Sequence, residues 1–207
     1  MPQYGFHFDG QRCTGCKTCQ MACKDYNDLT PDITLRRVFE YGGGSWEQGE
    51  GGLWSAHLFT YFVSVACNHC DEPACLAACP QKAISKSEET GLVTRDIDLC
   101  IGCGACAMAC PYGAPKVDPD LQKSVKCDGC ASRVEQGLMP ICAQSCPMRA
   151  LDFGPIDELR EKYGDVAEIA PLPSAEQMKP NLVITAPRDA REVGSDDGTV
   201  ANPREVA

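Results

Sequence analysis

The chain has 207 residues, of which 43% are hydrophobic, 23% charged and sixteen cysteine, and its formal net charge is −10. This is a globular composition of one or two domains, and the acidic balance excludes a nucleic-acid surface and electrostatic docking on an anionic membrane. The longest apolar stretch, Leu58 to Cys67, is too short to cross a bilayer and is broken by Thr60, Tyr61 and Ser64. The opening MPQYGFHFDGQRC lacks the basic and apolar regions of a secretory signal.

Tyr4 to Phe8 reads as a strand, and RCTGCKTCQMACK follows with Cys13, Cys16, Cys19 and Cys23. Ile33 to Tyr41 reads as a second strand, and Gly42 to Gly52 as a glycine-rich loop with Trp46 inside it and Trp54 just beyond. ACNHCDEPACLAACP brings Cys67, Cys70, Cys75 and Cys79. Ala83 to Ser87 and Leu92 to Thr94 then form a hairpin, turning at Glu88 to Gly91, which leads into Cys100, Cys103, Cys106 and Cys110. The last group is Cys127, Cys130, Cys142 and Cys146. Ala150 to Phe153 reads as a strand, and IDELREKYG after Pro155 as a short helix stopped by Gly164. From Pro171 the chain is proline-punctuated and extended, KPNLVI has the composition of a further strand, and Arg188 to Ala207 is polar and poorly patterned.

Three uses of the cysteines compete: disulfides, zinc and iron–sulfur clusters. Disulfides suit a secreted chain with a signal. Groups one and three are spaced C-x2-C-x2-C-x3-C; group two widens one gap to x4 and group four to x11, and no cysteine is left over. Three thiolates at i, i+3 and i+6 wrap three corners of an iron–sulfur cube, while a fourth, opening a short helix, reaches a neighbouring cube. A zinc site needs only four ligands in paired knuckles and often recruits His, of which the chain has three. The spacing therefore predicts four [4Fe–4S] clusters, and metal binding that supplies much of the folding free energy.

The ferredoxin rule assigns the ligands. Cys13, Cys16, Cys19 and Cys146 hold cluster one; Cys23, Cys127, Cys130 and Cys142 cluster two; Cys67, Cys70, Cys75 and Cys110 cluster three; Cys79, Cys100, Cys103 and Cys106 cluster four. The expected fold is α+β and loop-rich. A ferredoxin-like module over residues 60–116 is inserted into an outer one made of 1–59 and 117–165, and 166–207 form an extended C-terminal docking tail.

The motifs QYGF, RCTGCKTC, RRVFEYGGGSW, CNHC, MACPYGAP, KCDGC, PICAQSCPMRALDFGPIDEL, KPNLVI and NPREV run nearly end to end. In them the chain resembles the iron–sulfur B subunits of the dimethyl sulfoxide reductase family. The family carries bulkier residues where this chain has Gly104, Ala105 and Ala107, inside a cluster-binding loop. The resemblance implies an electron-transfer subunit without chemistry of its own. It would work between a molybdopterin-containing catalytic subunit and a quinol-oxidising integral-membrane anchor. It also implies a place at the cytoplasmic membrane, on its outer face if the folded chain is exported with the catalytic partner, with a cytoplasmic complex as the other option. Alternatives are a free-standing polyferredoxin shuttle, or the same role in a related molybdenum enzyme with another substrate. Around the clusters, Trp46 and Trp54 read as loop anchors, His69 as a plain loop position, and Lys17 and Lys126 as solvent-facing cations.

Overall fold

A computed structural model describes residues 2–206. In chain order its elements are β1 (Tyr4–Asp9), α1 (Thr18–Tyr26), β2 (Arg37–Gln48), β3 (Trp54–Val65), α2 (Ala74–Ala77), β4 (Ile84–Lys86), β5 (Val93–Arg95), α3 (Ala105–Ala109), β6 (Lys116–Asp118), β7 (Lys123–Val125), α4 (Ala131–Glu135), α5 (Ile141–Gln144), β8 (Leu151–Pro155), α6 (Ile156–Tyr163), β9 (Leu182–Thr185), β10 (Gly198–Val200) and α7 (Pro203–Val206). Helices and strands are short and joined by long loops, an α+β fold.

β1 is the centre of a three-stranded sheet, antiparallel to β8 and parallel to β9. Its alternation buries Phe6 and Phe8, which meet Phe153, Leu182 and Ile184 in the main core. β2 and β3 pair antiparallel from Arg37↔Val65 to Gln48↔Trp54, with β10 on the other edge of β2. Their buried ends add Val38, Tyr41, Tyr61, Val63 and Val65 to the same core. Two further hairpins, β4–β5 and β6–β7, lie between cysteine groups. The second was not expected. Its strands are only three residues long, and an Asx turn closes it, with Asp118 Oδ1 accepting from the backbone N–H of Asp120 (2.9 Å) and Leu121 (3.0 Å).

Several expectations need correcting. Residues 42–48 are strand rather than loop: Gly42, Gly43 and Gly44 pair with Thr60, Phe59 and Leu58. Gly43 is needed because β10 passes so close that a Cβ there would lie 2.1 Å from the Asp197 carbonyl oxygen. Trp46 and Trp54 anchor no loop; each is 59% exposed near the hairpin tip. The strand expected from Ile33 begins only at Arg37, because Ile33 and Leu35 turn inward against Cys23 and Val125. The 166–207 segment is knitted into both sheets through β9 and β10. It is pinned further by Asn202, whose side chain donates to the Val38 carbonyl (2.9 Å) and accepts from the Glu40 N–H (2.9 Å).

Two buried side chains tie the stretch from Cys67 to Tyr112 to these sheets. Asn181, fully buried before β9, donates to the His69 carbonyl (2.8 Å) and to Asp71 Oδ1 (3.0 Å). Arg37 donates to the carbonyls of Tyr112 and Val206.

Candidate metal centres

Each cysteine group is built from the same local pieces. The residue before the second cysteine is left-handed in all four: Gly15 (φ 68°), His69 (φ 45°), Gly102 (φ 69°) and Gly129 (φ 74°). Such a turn folds a C-x-x-C segment back so that both thiols face one side, and glycine is its natural occupant. The third cysteine lies at or near the start of a helix: Cys19 in α1, Cys75 in α2, Cys106 in α3, Cys142 in α5. The fourth was expected to open a helix. It closes one instead in groups two, three and four, because the following proline stops the helix there, and in group one Cys23 sits within α1. The Cys-Pro turns then present a backbone N–H to sulfur: Ala83 N–H donates to Cys79 Sγ and Ala150 N–H to Cys146 Sγ, both at 3.3 Å. Such N–H···S bonds favour thiolate and tune a bound metal.

Two of the predicted ligand sets line small cavities. One is lined by Cys67, Cys70, Cys75 and Cys110, with Val93 and Tyr112 beside them. Another is lined by Cys79, Cys100, Cys103 and Cys106, with Ile84 and Ser124. For the outer pair, Cys19, Cys146 and Cys16 lie near enough to Cys13 for their charge to raise its pKa, as Cys142 and Cys130 do for Cys23. Cys67, Cys23 and Cys142 act in the same way on Cys127. None of the sixteen cysteines is in a disulfide. Among the described residues no three His, Cys, Asp or Glu side chains converge on a point that one metal ion would fill. Thiols spread around a void, with hydrophobic side chains behind them, fit a polynuclear cluster better than zinc.

Electrostatics agree with that fit. Burial, reinforced by neighbouring thiols, pushes Cys13 and Cys75 up to about 11 and Cys23 and Cys70 up to about 12. These sulfurs need a metal's positive charge to become thiolates. Cys16 and Cys103 are the two exposed members. Cys16 is lowered, chiefly by the Thr18 hydroxyl.

Four side chains near the sulfurs were misread or missed in the sequence. Lys126 is buried rather than solvent-facing, with Nζ donating to the carbonyls of Val93 and Cys127. Lys17 is half-buried and paired with Glu40 and Glu205. Arg36, read only as part of a strand, is 1% exposed and donates to Cys142 Sγ (3.5 Å) and to the Ser64 carbonyl (3.3 Å). His69 is wholly buried, and its Nδ1 accepts from the Val93 N–H at 2.9 Å. Burial and the cations Lys126 and Arg36 lower its pKa well below the ordinary value.

Residues 58–156 match a family described as a 4Fe–4S dicluster domain, and residues 11–27 match a 4Fe–4S binding domain. The chain is 54% identical to the B subunit of the anaerobic dimethyl sulfoxide reductase of Escherichia coli K12, over 99% of this chain and 98% of that protein. It is 52% identical to the corresponding Haemophilus influenzae subunit over the whole of both. The chain belongs to the family of anaerobic dimethyl sulfoxide reductase B subunits. More distant members of the wider group include the thiosulfate reductase electron transfer subunit of Salmonella typhi, 37% identical over 75% of this chain and 78% of that one. Membership makes this an iron–sulfur electron-transfer subunit of a reductase complex. Gly104 is the left-handed residue before α3 (φ 75°), the place that Lys17 (φ 60°) takes before α1.

Proposed function

We propose that the chain relays electrons through four [4Fe–4S] clusters between a quinol-oxidising membrane anchor and a molybdopterin-containing catalytic subunit of dimethyl sulfoxide reductase type, and catalyses nothing alone. When bound, such clusters supply one-electron redox chemistry at fixed positions. The protein's own work is to hold sixteen thiolates in four sets, cover them, and set the charge around them.

The observation that carries this reading is the clustering of thiols from groups far apart in sequence. Cys110 closes the cavity of Cys67, Cys70 and Cys75, and Cys146 lies near Cys13. Within each module the two sites share cysteine groups, and Cys127 lies near Cys67 across the module boundary. This supports a linear relay in the order one, two, three, four. Its ends lie at the exposed cysteines, Cys16 and Cys103.

Lasting assembly, rather than a freely diffusing shuttle, is supported by exposed apolar side chains around the cluster-four loop: Ile97, Leu99, Ile101, Met108 and Leu121. A soluble shuttle gains nothing from such a surface, whereas a docked subunit buries it. No helix among the described residues is long and apolar enough to cross a membrane, so the membrane link belongs to a partner. We place the complex at the cytoplasmic membrane, on its outer face. Anaerobic purification of the native protein tests the reading. Co-elution with a large molybdenum-containing subunit is expected, and an isolated chain eluting at its own mass would refute it. Protease protection in spheroplasts against lysed cells assigns the side of the membrane.

A further inference from the structure

Arg36 has no role in ligation, yet it is the largest side chain in the fully buried set. A guanidinium cannot shed its charge in a protein. Burying it without an anion costs several kcal/mol. Among the described residues it forms no ion pair with a carboxylate, and its Nε has no hydrogen-bond partner. Its plane rests over the Phe6 ring, 4.6 Å from the centroid, a weak attraction that does not replace a counter-ion. It donates to Cys142 Sγ, and the other sulfurs near enough for their charge to act on it are those of Cys19, Cys127 and Cys23.

Those four sulfurs divide between two sites. Cys19 belongs to set one, and Cys23, Cys127 and Cys142 to set two. The hydrogen bonds divide likewise. Nη2 reaches Cys142 Sγ directly, while Nη1 holds the carbonyl of Ser64, whose hydroxyl lies 3.4 Å from Cys19 Sγ. One cation thus stands between two four-thiolate sites, in an interior where charges interact far more strongly than in water.

We propose that Arg36 is the shared counter-charge of clusters one and two, raising the reduction potential of both together. Each gains an electron, and so a negative charge, on reduction, and a fixed cation favours the reduced form. Clusters three and four lack Arg36; the buried cations near their loops are Lys126, bonded to the carbonyls of Val93 and Cys127, and Arg37, bonded to the carbonyl of Tyr112. The proposal rests on the ligand sets given above.

The test is a redox titration of the purified native complex, followed by electron paramagnetic resonance, for wild type, Arg36→Met and Arg36→Lys. Separate Cys19→Ser and Cys142→Ser variants assign the signals of clusters one and two, so an error in the ligand sets appears there first. In Arg36→Met both signals are expected to fall in midpoint by at least a tenfold change in the reduction constant, 59 mV for one electron. The other two stay in place, and Arg36→Lys recovers most of the loss. A fully loaded Arg36→Met protein with unmoved midpoints, a shift in only one of the pair, or an equal shift in all four overturns the proposal. If Arg36→Met loads fewer than four clusters, the pattern decides. Loss of clusters one and two with rescue by Arg36→Lys supports it, and loss of three or four, or no rescue, overturns it.

Discussion

His7 and Tyr163 stack face to face, with ring centroids 3.5 Å apart and planes 2° from parallel. The contact fastens α6 to the central strand β1, while His7 Nε2 lies 2.9 Å from Thr185 Oγ1 on β9. One imidazole thus joins three elements that are far apart in sequence.

Burial lowers the His7 pKa, against a smaller upward pull from Asp9 and Asp152. Below pH 6.5 the unfolded chain therefore takes up a proton that the folded chain resists. His7 stabilises the fold fully above pH 6.5, and this contribution is lost as pH falls from 6.5 through the depressed folded value. Denaturation midpoints between pH 8 and 5 should fall more steeply in wild type than in His7→Gln. Parallel curves would show that His7 is not the acid-sensitive group.

Iron and acid-labile sulfide should each approach about sixteen per chain in anaerobically prepared protein. With sixteen intact thiols, a value near twelve iron would mean one empty site, and about fifteen one three-iron site.

Gly102 and Gly51 separate two costs. Both have positive φ, but a Cβ at Gly102 would lie 2.0 Å from the Gln122 carbonyl oxygen, whereas one at Gly51 meets nothing within 4 Å. Gly51→Ala should cost about 1 kcal/mol of backbone strain and leave iron content unchanged. Gly102→Ala adds a clash in the loop between Cys100 and Cys103, and should remove about four iron atoms per chain. Equal iron contents would show that the loop yields.

The interleaved ligand sets make Cys23→Ser diagnostic. It should alter the same resonance signal as Cys127→Ser or Cys142→Ser. If it alters the signal changed by Cys13→Ser, each group holds its own cluster.

Removing iron should not affect the chain evenly. The stretch between Cys67 and Cys110 has a private core of only Ile84, Val93, Cys75 and Cys106, half of it sulfur. The β1 and β2–β3 sheets instead share a large aromatic and aliphatic core. Chelation should expose amides of β4, β5 and α3 to hydrogen exchange before those of β1, β2 and β3. Simultaneous exposure would show that the clusters hold the whole chain.

The cysteine groups were legible because their chemistry is written in spacing: C-x-x-C with glycine before the second sulfur dictates a loop whatever surrounds it. Strand β1 was legible from YGFHFD, whose Phe6 and Phe8 recur at every second residue, although Gly5 and His7 beside them are buried as well. The tip of β2–β3 was not, since Gly42 to Gly44 look like a flexible loop until the closeness of β10 is known. Nor was Arg36. In the doublet Arg36–Arg37 nothing distinguishes a buried cation from a solvated one, because its partner Cys142 is 106 residues away. Lys126 escaped for the same reason, its burial being set by Val93 on a different hairpin.

The position of β9 bears on how the chain is made. The last cysteine is residue 146, but β1 gains its parallel neighbour only at 182–185, and β2 its outer neighbour only at 198–200. A ribosome that stalls after Cys146 has delivered every iron ligand while leaving two sheet edges bare, which invites pairing with other chains. Residues 182–200 therefore act as a seal: synthesis must run more than fifty residues past the last cysteine before the chain that carries the clusters has no open edge on β1 or β2.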